Sequence, residues 1–474
     1  MIFHSSRLAR IAAAAIVFAA SVSASARSTS AVSGQLGSPL PPIRSGNIVP
    51  VTTEAELQAA VASLTSDTTI VIAPGTYTLT APLSIRGPLT NVGVRGATEN
   101  RDDVVLVGGE SPKQQSREGQ NGISVGGTVQ NLVIANLTIR DVSGRAIALS
   151  GGVERPIIRN VHLVNAGRES INATRDGKRG GVDDGVVEYS LIEYTNAAGD
   201  ASARGIEVAG GKGWVIRSNA FRNIKATNGI AGPAVLMWQG SRDSLVDGNA
   251  FIDCQHEIAF GLEQRTPNDH EGGIIRNNFI VRDASIQARS AIQVADSPNT
   301  QILHNTILAN GTSASLIEYR FADTEGVAIL NNLLDGEITA RDDASGLSAD
   351  NYTKATAAMF ANPSVGDLHL VAGATEVIDR VGVLTDAAND VDGQLRPQAA
   401  AADYGADEYL GPASVQPPPT PAVTTTTGAT SSSTPANGAS VTTNAGSSGS
   451  SASTAPPPTG LPAPWETADI GNPG

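Results

Sequence analysis

One motif recurs through the middle of the chain: an apolar residue, two of any kind, Asn, one of any kind, then an apolar residue. It runs Val133…Asn136, Ile157…Asn160, Ile216…Asn219, Val246…Asn249, Ile275…Asn278, Ile302…Asn305 and Ile329…Asn332, and Val187…Ser190 fits with Ser in place of Asn. Successive polar positions lie 24, 30, 29, 30, 29, 27 and 27 residues apart. The closing apolar residue is Phe221, Phe251, Ile280, Ile307 or Leu334, with only Thr138 and His162 weak in the first two copies. A repeat of this length is one supersecondary unit that buries its apolar face by stacking on its neighbours.

Each copy holds a second run with period-two alternation. Examples are Ala146-Ile147-Ala148-Leu149, Ser170-Ile171-Asn172-Ala173, Gly205-Ile206-Glu207-Val208, Ala291-Ile292-Gln293-Val294 and Leu316-Ile317-Glu318-Tyr319. Alternation means strands with one face in and one face out. Two or three short strands per copy, closed by turns, make one rung of a parallel β-solenoid. Helical periodicity is absent. Leucine-rich repeats would show more Leu at shorter, fixed spacing. An Asn at the same turn of every rung can hydrogen-bond its amide to the rungs above and below, and Asn tolerates left-handed turn geometry.

Composition agrees. Of 474 residues 50 are Gly, charged residues are 16 % and aromatics 4 %, a profile of tight turns rather than helical bundles. The net charge of -14 argues against a nucleic-acid binder. A single cysteine, Cys254, excludes an intramolecular disulfide framework and reads as buried and inert. Arg7 and Arg10, the apolar Ile11 to Ala20 and the small residues Ala24-Ser25-Ala26 read as a secretory signal peptide over 1–26, too short to span a bilayer. A flexible linker over 27–47 follows. Residues 412–474, rich in Pro, Thr, Ser and Ala, read as a disordered tail or stalk. The expected product is a secreted or periplasmic monomer without a transmembrane segment.

Glu54 to Leu64 reads as a capping helix, with Leu57, Val61 and Leu64 at helical spacing. Ile70-Val71-Ile72-Ala73-Pro74-Gly75-Thr76-Tyr77 follows as first strand and turn. The helix, this segment and the Asn-punctuated rungs together resemble secreted bacterial right-handed parallel β-helix proteins. That superfamily includes pectate lyases, alginate lyases, chondroitinase-B-like lyases and polygalacturonases. Asp390-Val391-Asp392-Gly393…Arg396-Pro397 with Gly405-Ala406-Asp407-Glu408-Tyr409 resembles the closing segment of many such proteins. The resemblance covers residues 48–411 and implies an all-β, right-handed parallel β-helix.

Charge is unevenly spread. Residues 1–139 carry a net +1, 140–325 a net -3 and 326–474 a net -12. The near-balanced centre can therefore hold a local cationic groove. Outward positions of the second strand form a stripe of Ala148, Asn172, Glu207, Leu236 or Met237, Ala259, Gln293 and Glu318. Gln239 and Arg320 lie one step further out. This reads as a polar middle with apolar ends. The connections after Ser190 and Asn219 are long, bringing in Glu193, Asp200, Arg204 and Lys225. The densest charge cluster is Arg168-Glu169…Arg175-Asp176-Gly177-Lys178-Arg179…Asp183-Asp184.

β-Elimination removes the proton α to a uronate carboxyl group; it needs a cation to neutralise that carboxylate and a base to take the proton. The resemblance implies a Lys or Arg base and, in many relatives, Ca2+. Arg204, Lys178 and Arg175 match the catalytic role. Asp183 and Asp184, with Glu207, match calcium ligands, or else form a solvated loop of paired charges. Asn172, Glu207, Trp238, Gln239, Glu318 and Arg320 are the candidate substrate-binding residues, Trp238 either a sugar platform or a packing plug. Hydrolysis needs two carboxylates flanking one bond. Glu207 and Glu318, four rungs apart at roughly 4.8 Å per rung, are too distant to cooperate. His256-Glu257 and Asp269-His270-Glu271 read as surface loop rather than metal site. Asp386, Asp390 and Asp392 read as a structural cap turn. Two functions fit: a lyase-like protein acting on an acidic, uronate-containing polysaccharide, or a non-catalytic carbohydrate-binding or surface-attached module.

Overall fold

The alternating runs wind into a right-handed parallel β-helix. The computed structural model describes residues 46–109, 119–195 and 203–411. The signal peptide, nearly all of the linker, the tail and Asp200 lie outside the described residues. One wall is a sheet of ten parallel strands, one per rung: Leu83–Arg86, Ile123–Gly126, Ile147–Ser150, Glu169–Thr174, Arg204–Ala209, Val235–Trp238, Ile258–Phe260, Ile292–Ala295, Ser315–Arg320 and Glu337–Arg341. It carries the expected stripe and is called the groove sheet below. Two further columns merge into a 21-stranded parallel sheet, joined where Val129–Arg140 and Ile157–Val164 run through the bend between them.

Register explains the core. Ile147, Ile171, Ile206, Val235, Ile258, Ile292 and Ile317 are direct partners on consecutive strands of the groove sheet, and all are fully buried. β-Branched side chains suit such a pleated wall. Burial of each contributes about 1.5–3 kcal/mol relative to exposure. In the next column Phe221 stacks on Phe251, with ring centroids 4.7 Å apart and planes 7° from parallel.

The polar ladder forms. Asn219 Nδ2 donates to Asn249 Oδ1 (3.0 Å), and the pattern continues through Asn278, Asn305 and Asn332 to Asn351 at 2.9–3.0 Å. Asn351 is one rung more than the sequence motif revealed. The turn geometry differs from expectation. From Ser190 onward the left-handed residue is the one before the ladder position: Tyr189, Ser218, Gly248, Asn277, His304, Asn331 and Asp350. Only Asn136 and Asn160 are themselves left-handed. The later asparagines are therefore selected by their amides and not by the backbone.

The expected helix spans Glu54–Ala62. Thr53 and Glu56 form a capping box, each side chain bonding the other's backbone N–H at 3.2 Å. Leu57 and Val61 are buried, and the helix packs on strands Asn47–Val51, Thr68–Ile72 and Leu83–Arg86.

Rungs continue to Gly346–Ala349. Residues 352–411 then pack along the flank, where Phe360, Leu368, Leu370, Val377 and Ala406 cover Phe279, Val281, Leu308 and Leu333. The two halves of the closing motif meet here. Buried Arg396 donates to the carbonyls of Gly405 and Ala406 at 3.0 Å each, and to Asn277 Oδ1 at 3.1 Å. Asp390 accepts from the backbone N–H groups of Asp392, Gln394 and Glu408, so the Asp390 string is a structural turn.

Candidate functional site

The outward stripe is in register. Asn172 pairs with Glu207, Glu207 with Leu236, Leu236 with Ala259, Ala259 with Gln293 and Gln293 with Glu318. Met237 instead pairs with Val208 and points into the core. The polarity differs from expectation: the centre of the stripe, Leu236 and Ala259, is apolar and fully buried, with polar residues on either side.

The N-terminal polar side holds an ion cluster on three consecutive rungs. Arg204 Nη1 lies 3.0 Å from Glu207 Oε2 and 3.3 Å from Glu169 Oε1. Glu169 Oε2 accepts from Arg145 Nε at 2.9 Å, with Arg168 Nε 3.7 Å away. Three guanidinium groups thus surround two buried carboxylates. Burial raises the Glu207 pKa above the ordinary carboxyl range; Glu169 adds to the rise, while Arg204 and Arg145 oppose it. Arg204 does reach along the floor, but it is roofed: a Cβ at Gly232 would come within 2.4 Å of its Nε. The roof is the connection between Ala220–Arg222 and Val235–Trp238. Gln255 Oε1 anchors it by accepting from the N–H groups of Ala226 (2.9 Å) and Ala231 (2.8 Å).

Buried polar atoms normally find partners. Here Ser170 Oγ, Arg204 Nε, Trp238 Nε1 and His256 Nε2 are buried without a well-aligned one, all on four consecutive rungs around the cluster. The Trp238 indole is still near enough to Glu207 to favour its charged form. Trp238 is half-buried, and the Arg265 guanidinium lies over its ring, 5.5 Å from the centroid. Gln239 forms the following left-handed turn and donates its N–H to Asp269 Oδ1 at 2.7 Å.

The other candidates are apart from this cluster. Arg175 and Lys178 are exposed, flanking a tight turn in which Asp176 Oδ1 accepts from the N–H groups of Lys178 (2.7 Å) and Arg179 (3.2 Å). Asp183 Oδ1 accepts from Lys212 N at 2.9 Å. Asp184 is left-handed and exposed; partial burial, then Asp183, raises its carboxyl pKa. Glu318 lies at the far end of the stripe, 2.7 Å from Arg341 Nε and 3.7 Å from Arg320, which also bonds Asp342 at 2.7 Å.

The two histidine segments are not surface loops. His256 and His270 are buried, and burial pushes both imidazoles down to about 3, so both stay neutral. His270 bonds Ser297 and Ser244 through its two ring nitrogens and stacks against Phe260. Glu257 makes a bidentate contact with Arg282, both fully buried. The Glu257 charge holds the guanidinium above its ordinary pKa against the cost of burial. Cys254 is buried, with its thiol pKa pushed up by desolvation. Among the described residues the one group of three acidic or imidazole ligands is His369, Asp392 and Asp407, on the flank. There Asp367 and Asp392 raise the His369 pKa to about 10 against burial, so its imidazole is protonated and paired with both carboxylates.

Arg145 escaped the sequence reading. It lies 24 residues before Glu169, one repeat length, so the ladder spacing would have placed it on the neighbouring rung.

No family model matches the chain, and no curated protein matches it. Solved structures of similar fold include an alginate lyase from a Paenibacillus species (17 % identity, 65 % of this chain and 98 % of that one, TM-score 0.36). Another is pectate lyase Pel9A (14 % identity, 77 % and 97 % covered, TM-score 0.46). A third is PfbA, a surface adhesin of Streptococcus pneumoniae (14 % identity, 63 % and 86 % covered, TM-score 0.36). The chain's own stacked parallel strands make it a right-handed parallel β-helix.

Proposed function

We propose that the protein is exported and engages an acidic, uronate-containing polysaccharide along the groove sheet, acting on it as a lyase. The carrying observation is the cluster of Arg145, Arg168 and Arg204 around Glu169 and Glu207, beside the unpaired polar atoms of Ser170 and His256. With both carboxylates ionised the cluster is net +1; with Glu207 protonated it is net +2. Either state attracts a carboxylate, and arginine grips one bidentately. Arg168, the least tightly paired of the three, is the group able to turn toward a ligand. Arg204 neutralises charge at the floor, and Glu207 is the carboxyl poised to exchange a proton with a bound sugar. Trp238 supplies an apolar face for a sugar ring.

One observation favours the non-catalytic reading. Arg204 is committed to two carboxylates and lies under the 223–233 roof, so the arginine expected as base is not open to take a proton. Asp183 and Asp184 do not by themselves fit calcium, which takes about six to eight oxygen ligands. No step is therefore routed through a metal.

A panel of alginate, pectate and chondroitin, with and without calcium, separates the readings. A lyase generates unsaturated ends that absorb in the ultraviolet. Binding without such ends supports the module. Binding to neutral and acidic polymers alike refutes the cationic site. Arg168→Ala should weaken acidic-polymer binding about three- to tenfold, equivalent to ~0.7–1.4 kcal/mol, with the melting temperature unchanged. Arg204→Ala should lower both binding and stability, because it strips Glu207 and Glu169 of a shared cation.

A further inference from the structure

The two ends of the solenoid are finished differently. At the first rung of the groove sheet, Leu83–Arg86 is in contact with the helix Glu54–Ala62. At the last, Glu337–Arg341 pairs only with Ser315–Arg320, and no described strand lies beyond it. The same terminal rung carries Gly346–Ala349, where Leu347 is 60 % exposed. An open depression of about 380 Å³ lies between these strands, lined in part by Glu337, Ile338, Ser348 and Asn351. An unpaired edge of this kind is a template for another strand.

The edge sequence, Glu337-Ile338-Thr339-Ala340-Arg341, is complementary to itself. Pairing with Ile317 and Glu318 fixes its faces: Ile338 and Ala340 point toward the core side, Thr339 and Arg341 outward. A two-fold axis through Thr339 sets this strand antiparallel to its copy. Glu337 then lies opposite Arg341 of the second copy, and Arg341 opposite its Glu337. Ile338 meets Ala340 on the inner face. Register slips of one residue would invert the faces; this register keeps both faces and satisfies both charges. Glu337 and Arg341 are exposed, and Arg341 contacts Glu318 of its own copy through Nε alone (2.7 Å) with 52 % of its side chain still accessible. Cross-strand pairs of opposite charge stabilise antiparallel sheets, whereas like charges directly opposite destabilise them.

We propose that the C-terminal edge strand Glu337–Arg341 docks a second copy of this chain, giving a tail-to-tail two-fold dimer whose groove sheets are continuous across the axis. The interface is isologous, and it closes because among the described residues the groove sheet of each copy offers one such edge. It replaces the expectation of a monomer.

Sedimentation velocity on the full mature chain tests this. The wild type should dimerise with rising concentration, and added salt should weaken the dimer. Glu337→Arg should give a monomer, because the new arginine faces Arg341 of the other copy. Arg341→Glu should also give a monomer, by facing Glu337. An equimolar mixture of the two variants should restore a heterodimer, since both cross-strand pairs are then of opposite sign. Both positions are exposed, and unchanged melting temperatures would confirm folding. A wild type monomeric at every concentration would overturn the proposal. So would a dimer indifferent to either charge reversal, or failure of the two variants to associate.

Discussion

Replacing Asn249 by Leu tests the ladder directly. Asn249 is 1 % exposed. Its Nδ2 donates to Ile216 O (2.9 Å) and Asn278 Oδ1 (3.0 Å), and its Oδ1 accepts from Asn219 N and Nδ2, both at 3.0 Å. Leucine has nearly the same shape and none of these bonds. Asn219 Nδ2 keeps Val187 O, and Asn278 Oδ1 keeps Asn249 N. One group is left buried and unpaired, the Asn219 N–H, because the Ile216 carbonyl keeps its backbone partner in the parallel ladder. The cost of that orphaned group is about 1–3 kcal/mol. Asn249 does not adopt a left-handed backbone, so no strain enters the comparison. Asn228, exposed in the roof segment, is the control, and Asn228→Leu should stay within about 0.5 kcal/mol of wild type. Urea unfolding followed by far-UV circular dichroism reads both, and the Asn249 variant should lose roughly 1 M in midpoint. Equal midpoints for the two variants would refute the claim that the ladder amides hold the rungs together.

Binding of an acidic polymer should strengthen as pH falls through the Glu207 titration, because a raised carboxyl pKa lets Glu207 lose its charge while the arginines keep theirs; Glu207→Gln should flatten that profile in a binding titration. Glu257→Gln should cost about 3–5 kcal/mol in chemical denaturation, since Arg282 would be left buried with half a partner. The flank segment should loosen as pH rises. Asp390 and Asp403 are raised to about 7, chiefly by burial, and His369 to about 10. Each folded value lies above the unfolded one, so the stability these groups contribute is full below the unfolded value and lost on the way up. The aspartates act between about pH 4 and 7, and His369 between about 6.5 and 10. Protection factors over 352–411, with the base-catalysed intrinsic exchange rate divided out, should therefore be lower at pH 9 than at pH 6, and a pH-independent opening equilibrium would count against this assignment.

The rungs were legible because period-two alternation and a fixed polar position are properties of single residues. Ile171, Ile206 and Ile292 betray their inward direction locally, and the Asn spacing gives the register. The arrangement at the groove was only half legible. Glu207 could be placed on the stripe, but its burial depends on the roof over Arg204, and that roof depends on Gln255, three rungs from Glu169. His256 and His270 were misjudged for the same reason. Polar residues near a turn look like loop in a linear reading, whereas here Ser244, Ser297 and Phe260 from neighbouring rungs enclose His270. The flank carried its own signal in Arg396 and the 405–409 stretch, though not the identity of the surface that they cover.

The ladder is indifferent to order: any Asn-bearing rung could stack on any other with its amide satisfied. A chain built only on that rule could skip a rung while folding and trap itself in a shortened solenoid. The Glu257–Arg282 pair forbids this at one point. The two residues belong to adjacent rungs, and a skipped rung would strand one charge in the interior at a cost of about 3–5 kcal/mol. The pair thus serves as an address, naming which rung must follow which. Replacing both residues by methionine should leave the folded protein as stable or more so, while refolding yields fall and species with out-of-register rungs accumulate.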